Sequence, residues 1–189
     1  MTTLRDPPID RFVMHLQSRF DITTLVETGT FQGDSTLWAA ERFRRVVTID
    51  NSLEFQDDAL ASCAEHSNVE FFTADTRLVL PRVMASLDGP TLFWLDAHAA
   101  PGLFGKADDW PVLEELEIID LSPFAHFVLI DDAHCFMPGT PHPACPTFDQ
   151  VRAWASKCDY ACCVRHDVIA LVPRDLEIEF KHFDTGSYA

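Results

Sequence analysis

The chain has 189 residues with 14 basic and 30 acidic side chains, a net charge of −16, and 47% hydrophobic residues. That length suffices for one domain, residues 1–189, with a real core, and the composition is that of a soluble globular protein. The acidity disfavours phosphate backbones and anionic membrane surfaces, so neither a nucleic acid nor a membrane is an expected partner. Met1 opens a polar segment rather than an apolar signal, and no run approaches the roughly 18 apolar residues of a membrane span. The six cysteines form no C-x-x-C pair. Reduced thiols and a cytoplasmic location are therefore the expectation.

In chain order, Phe12, Val13, Leu16 and Phe20 share one face of a helix over 7–20, which would cap the sheet or the pocket. Thr23 to Val26 is a short buried strand ending in Glu27. Gly29 and Gly33 then punctuate a turn that enters a helix from Ser35 to about Phe43. Val46 to Asp50 forms the second strand, Leu53 to Glu65 a helix, and Val69 to Ala74 the third strand, ending at Asp75-Thr76. A helix over 77–87 precedes strand 4, Thr91 to Leu95. The chain continues with Asp96-Ala97-His98, a loop over 99–110 and a helix from Pro111 to about Leu121. Strand 5, His126 to Ile130, runs into Asp131-Asp132-Ala133-His134 and a proline-rich loop, then a helix over 148–157. Tyr160 to Val164 and Val168 to Val172 flank Arg165-His166-Asp167 as a β-hairpin. In the tail, residues 174–189, Leu176, Ile178 and Phe180 alternate in period two, as an added strand or a docking segment would.

A strand, a glycine turn and a helix make the unit with which an open α/β sheet holds a nucleotide-like cofactor. No Lys or Arg lies between Asp21 and Glu41, and Glu27 stands at the strand end. A carboxylate a few Å from a phosphate costs about 4 kcal/mol at an effective dielectric near 20. A cofactor with a cationic centre and no phosphate fits better, and S-adenosylmethionine offers a sulfonium, an α-amino group and a ribose. Asp50 falls 23 residues after Glu27, close to the roughly 20 that separate a cofactor turn from its ribose-binding acid. It is the expected ribose ligand, although Asp50 or Ser52 could serve as a helix cap.

Glu27-x-Gly29-x-x-x-Gly33 resembles motif I of the class I S-adenosylmethionine-dependent methyltransferases, with Phe31 in place of the central glycine. The resemblance implies a Rossmann-like, doubly wound α/β fold: a mostly parallel seven-stranded sheet in order 3-2-1-4-5-7-6 with a C-terminal antiparallel hairpin. It also implies a cofactor site drawn from Glu27, Gly29, Thr30, Gly33, Ser35, Asp50, Asn51, Asp75, Thr76 and Asp96. Asp75 is equally readable as the N-cap of the next helix.

Parallel strands expose their C-terminal ends along one edge, where ligands bind. Asp96 would there meet Asp131 and Asp132, and three crowded carboxylates call for a proton or a cation. The pattern resembles the divalent-metal-dependent O-methyltransferases of the catechol and macrocin types. That resemblance implies Asp96, Asp131 and Asp132 as ligands of Mg²⁺, with Mn²⁺, Ca²⁺ or Fe²⁺ as variants. The cation would hold a small-molecule hydroxyl, and His98 or His134 would take its proton, His98 being preferred. A site of Asp96, His98, Asp131 and His134 would suit Fe²⁺ or Mn²⁺ instead. Three alternatives remain open: a metal-independent methyltransferase with a histidine base, a non-catalytic cofactor- or partner-binding module, and a metal-dependent hydrolase or oxygenase on the same sheet. With almost no N-terminal cap, the acceptor pocket is either open or completed by a second copy in a homodimer. Trp110 and Phe136 would line that pocket or simply pack.

Overall fold

In a computed structural model of the chain, residues 2–97, 110–140, 142 and 144–185 are described. The expected elements form in the expected sequence: α1 (Ile9–Phe20), β1 (Thr24–Thr28), α2 (Asp34–Ala40), β2 (Arg45–Asp50), α3 (Leu53–Ser62), β3 (Val69–Thr73), α4 (Thr76–Met84), β4 (Leu92–Leu95), α5 (Val112–Asp120), β5 (Phe127–Ile130), α6 (Phe148–Lys157), β6 (Tyr160–Arg165) and β7 (Val168–Pro173), and a further helix, α7 (Phe180–Thr185), follows in the tail. The sheet runs β3-β2-β1-β4-β5-β7-β6. Strands β1 to β5 pair in parallel, and β7 lies antiparallel between β5 and β6.

Apolar side chains on both faces explain why the central strands are buried throughout. Val26, Phe93, Leu95, Val128 and Ile130 meet α4, α5 and α6 on one side. Leu25, Leu92, Trp94, Phe127 and Leu129 meet α1 and α2 on the other. Trp110 and Phe136 cross edge to face, 6.1 Å between centroids, within the first of these cores. Their role here is packing. Local chemistry fixes several ends: Asp75 caps α4, and Thr147 with Gln150 forms a capping box on α6. His166 and Asp167, both at positive φ, make the two-residue turn between β6 and β7. All six cysteines are free. Among the described residues no helix is long and apolar enough to cross a membrane.

Of the two readings of the tail, the docking segment holds: among the described residues it adds no strand, and Arg174–Glu179 form a 3-10 helix that leads into α7. The buried positions are Glu179 and Phe183, with Leu176 and Phe180 packed beside them, a helical spacing that the period-two reading obscured by including Ile178. Ile178 is 62% exposed. Phe183 stacks on Phe12 of α1 with centroids 4.4 Å apart, the buried aromatic contact of the docked tail.

Phe183→Ala should cost about 3–5 kcal/mol, lowering the melting midpoint by roughly 6–20 °C. Ile178→Ala should stay within about 0.5 kcal/mol of the parent. Thermal denaturation of the two variants checks the docking; equal effects would contradict it.

Candidate functional site

The register of the sheet builds the rim. Thr28 pairs with Ile49 of β2 and with Leu95 of β4, and Leu95 pairs with Ile130 of β5. One residue beyond these pairs stand Gly29, Asp50, Asp96 and Asp131. The ladder continues through them: Gly29 N–H donates to Ile49 O at 2.8 Å, Asp96 N–H to Thr28 O at 2.8 Å, and Asp131 N–H to Leu95 O at 3.1 Å. Neighbouring parallel strands are about 4.8 Å apart, so Asp96 and Asp131 stand side by side. Gly29 has φ +87°, and a Cβ there would lie 2.4 Å from the Asp96 carbonyl oxygen. Only glycine lets the turn press against the end of β4.

Gly33 serves a close approach of two helices. Its φ is +84°, and a Cβ would meet Ala59 of α3 at 2.6 Å. The glycine lets the start of α2 approach α3 rather than β1. Phe31 also has positive φ, 44°, and its N–H donates to Asp50 Oδ2 at 2.9 Å. The second Asp50 oxygen accepts from Ser52 N–H at 2.8 Å. Asp50 thus ties the end of β2 to the glycine turn while retaining further lone pairs for a ligand.

Glu27 lies beneath the turn and is 1% exposed. Its Oε2 accepts hydrogen bonds from Thr36 and, at 2.6 Å, from Thr48. Thr48 has one proton and gives it to Glu27, so the 2.6 Å contact between Thr30 and Thr48 is a bond donated by Thr30. Burial pushes the Glu27 carboxyl up to about 8; the threonine bonds oppose this, and the charges of Asp96 and Asp50 add to it. Of the other expected cofactor residues, Ser35 accepts the Leu4 N–H at 3.1 Å, Thr76 is buried and Asn51 is exposed. Asp75 accepts from the Arg77 backbone and from its guanidinium at 2.6 and 2.9 Å. The Arg77 bonds hold its carboxyl below the ordinary range.

At the ends of β4 and β5, Asp131 is 1% exposed and Asp96 half-buried. Asp132, at φ 51°, starts the 3-10 turn Ala133–Phe136. It stands 4.0 Å from His134 Nδ1. Asp167, from the β6–β7 turn, accepts the His134 backbone N–H at 2.8 Å and lies 2.7 Å from its Nδ1. One ligand atom each from Asp132, His134 and Asp167 falls within 4.8 Å of the others. His98, the other expected base, lies outside the described residues.

Two residues escaped the sequence reading. Asp167 looked like hairpin punctuation, and only the β5–β7 pairing brings that turn to the rim. Glu115 of α5 is buried beside Thr28 and Thr76, and burial pushes its carboxyl up to about 7. Its helical spacing with the apolar Val112, Leu116 and Ile119 was the available signal.

Folding keeps the Glu27 proton at pH values where the unfolded chain, near its ordinary 4.5, has lost it. Stability therefore falls as pH rises from about 4.5 to 8, and Glu115 acts in the same direction up to about 7. Glu27→Gln should flatten that fall by up to about 1.4 kcal/mol per pH unit. Urea unfolding at a series of pH values measures it, and an unchanged slope would contradict the burial argument.

No protein-family model matches the chain, and no curated protein matches it at a significant level. Solved structures do. An O-methyltransferase, TomG, from Streptomyces achromogenes, involved in tomaymycin synthesis and solved with SAM, shares 21% identity at TM-score 0.59, over 86% of this chain and 78% of its own. An O-methyltransferase from Bacillus cereus in complex with SAH shares 19% at TM-score 0.62, over 88% and 81%. An rRNA methylase from Streptococcus thermophilus shares 12% at TM-score 0.53, over 91% and 99%. These likenesses span different acceptors, so they speak to architecture rather than substrate. The chain has the fold of the class I S-adenosylmethionine-dependent methyltransferases.

Proposed function

We propose that this chain transfers a methyl group from S-adenosylmethionine to a hydroxyl of a small molecule, assisted by a divalent cation at the ends of β4 and β5. The observation that carries the reading is the adjacency of Asp96 and Asp131, in register, beside the turn that Gly29 presses onto β4. The donor site and the acceptor site would then share Asp96.

The rim offers oxygen donors to both groups, and among the described residues the ligand atoms that converge there are those of Asp132, His134 and Asp167. Asp50 keeps acceptor capacity for ribose hydroxyls after its two amide bonds. Glu27, buried beneath the turn, holds its proton up to about pH 8, and a cation above it would favour the ionised form. Asp96, Asp131 and Asp132 are hard oxygen donors, which suit Mg²⁺, Mn²⁺ or Ca²⁺. When bound, the cation would supply the Lewis acidity that favours the ionised acceptor hydroxyl. His134 would take the proton: Asp167 holds its ring through Nδ1 and its backbone through N–H, which would leave Nε2, 3.4 Å from Cys135 Sγ, as the accepting atom. The net charge of −16 favours a neutral or cationic acceptor over a phosphorylated one.

The His134–Asp167 contact also supports a second reading, methyl transfer with this histidine alone as base. Chelation separates the two, since only the first loses turnover without metal. Asp131→Asn should leave cofactor affinity within about twofold while cutting turnover by roughly 10²–10⁴; surviving turnover would remove the metal from the account. Asp167→Asn should lower kcat by about tenfold to a hundredfold with little change in KM, part of the contribution of a whole base. Steady-state kinetics with any accepted hydroxyl substrate measures both.

A further inference from the structure

Away from the rim, three side chains able to bind metal meet where the tail docks on α1. His15 projects from α1, Glu179 ends the 3-10 segment, and His182 belongs to α7. His15 Nε2 lies 2.6 Å from Glu179 Oε2. The two imidazoles stack, 3.9 Å between centroids at an interplanar angle of 27°. One ligand atom of each residue falls within 4.8 Å of the other two.

We propose that these residues form a binding site for one transition-metal ion of the zinc class, with His15, His182 and Glu179 as ligands and water in the fourth position. A tetrahedral ion bound at about 2.0–2.1 Å separates its ligand atoms by roughly 3.3 Å, a value that the present separations, 2.6 Å to at most 4.8 Å, bracket. Small side-chain adjustments complete the geometry. A histidine–glutamate hydrogen bond accounts for two of the three residues. The stacked ring of His182 brings a third donor to the same place.

The donor set selects the metal. Two imidazoles and one carboxylate favour Zn²⁺, Co²⁺ or Ni²⁺ over Mg²⁺ and Ca²⁺, which prefer all-oxygen shells. Glu179 is buried while both histidines are half-buried, which admits water to a fourth position. The ion would join residues 164 positions apart in sequence, closing a loop of almost the whole chain, where a crosslink removes most entropy from the unfolded state.

The test is calorimetric titration of chelator-treated full-length protein with Zn²⁺, alongside His182→Gln and Asp131→Asn. The site predicts a saturable equivalent of Zn²⁺ that persists in excess Mg²⁺ and in Asp131→Asn, and that weakens at least tenfold in His182→Gln. At a hundredfold excess over its dissociation constant, Zn²⁺ should raise the melting midpoint of the parent by roughly 5–10 °C. Should His182→Gln fold poorly, the parent loaded with Co²⁺ should show the visible bands of a tetrahedral nitrogen–oxygen site. Absence of saturable Zn²⁺ binding, or binding equal in parent and His182→Gln, would overturn the proposal.

Discussion

A glycine without a Cβ and a carbonyl oxygen share one narrow space at the centre of this molecule. Gly29 stands so close to Asp96 O that any side chain would collide with it, at 2.4 Å. Because β1 and β4 are held at that spacing, the turn that would receive the methyl donor and the acid that would help hold the acceptor are neighbours. The rest of the rim follows from sheet register: β2 brings Asp50 to one side of Gly29, and β5 brings Asp131 to the far side of Asp96. Their alignment is a property of the backbone ladder rather than of any side-chain bond.

The rim is not a uniform row of available anions. Asp50 spends two lone pairs on peptide N–H groups, Asp75 is paired with Arg77, and Glu27 is enclosed by threonines. These bonds turn the acids into structural parts of the turn as well as sources of charge. Raised carboxyl values at Glu27 and Glu115 are the energetic mark of burial beside other acids. A cationic guest would favour the ionised form of these carboxyls, in keeping with the charge of the donor proposed for the rim.

Much of the architecture was legible in the residues. Short apolar runs ending in acids marked every parallel strand, and the glycine turn marked the first crossover. The sheet order came through resemblance, because strand neighbourhood is not written in periodicity. The choice between an added strand and a docking segment in the tail was not legible, because Leu176 and Phe180 fit either spacing, and Phe183 against Phe12 decides for docking. Asp167 was hidden for a topological reason: it reaches His134 through an antiparallel pairing some thirty residues away in sequence. The partner of Gly33 was not legible either, since Ala59 of α3 lies outside any local motif.

The central claim is that the negative rim around Gly29 holds an adenosyl cofactor with Asp50 as its ribose ligand. Calorimetric titration of the purified protein with S-adenosylhomocysteine, in parallel with Asp50→Ala, tests it most directly. The account predicts one saturable site in the parent and its loss in Asp50→Ala with the fold intact by circular dichroism. A parent that binds no S-adenosylhomocysteine, or an Asp50→Ala variant that binds it equally well, would contradict the account.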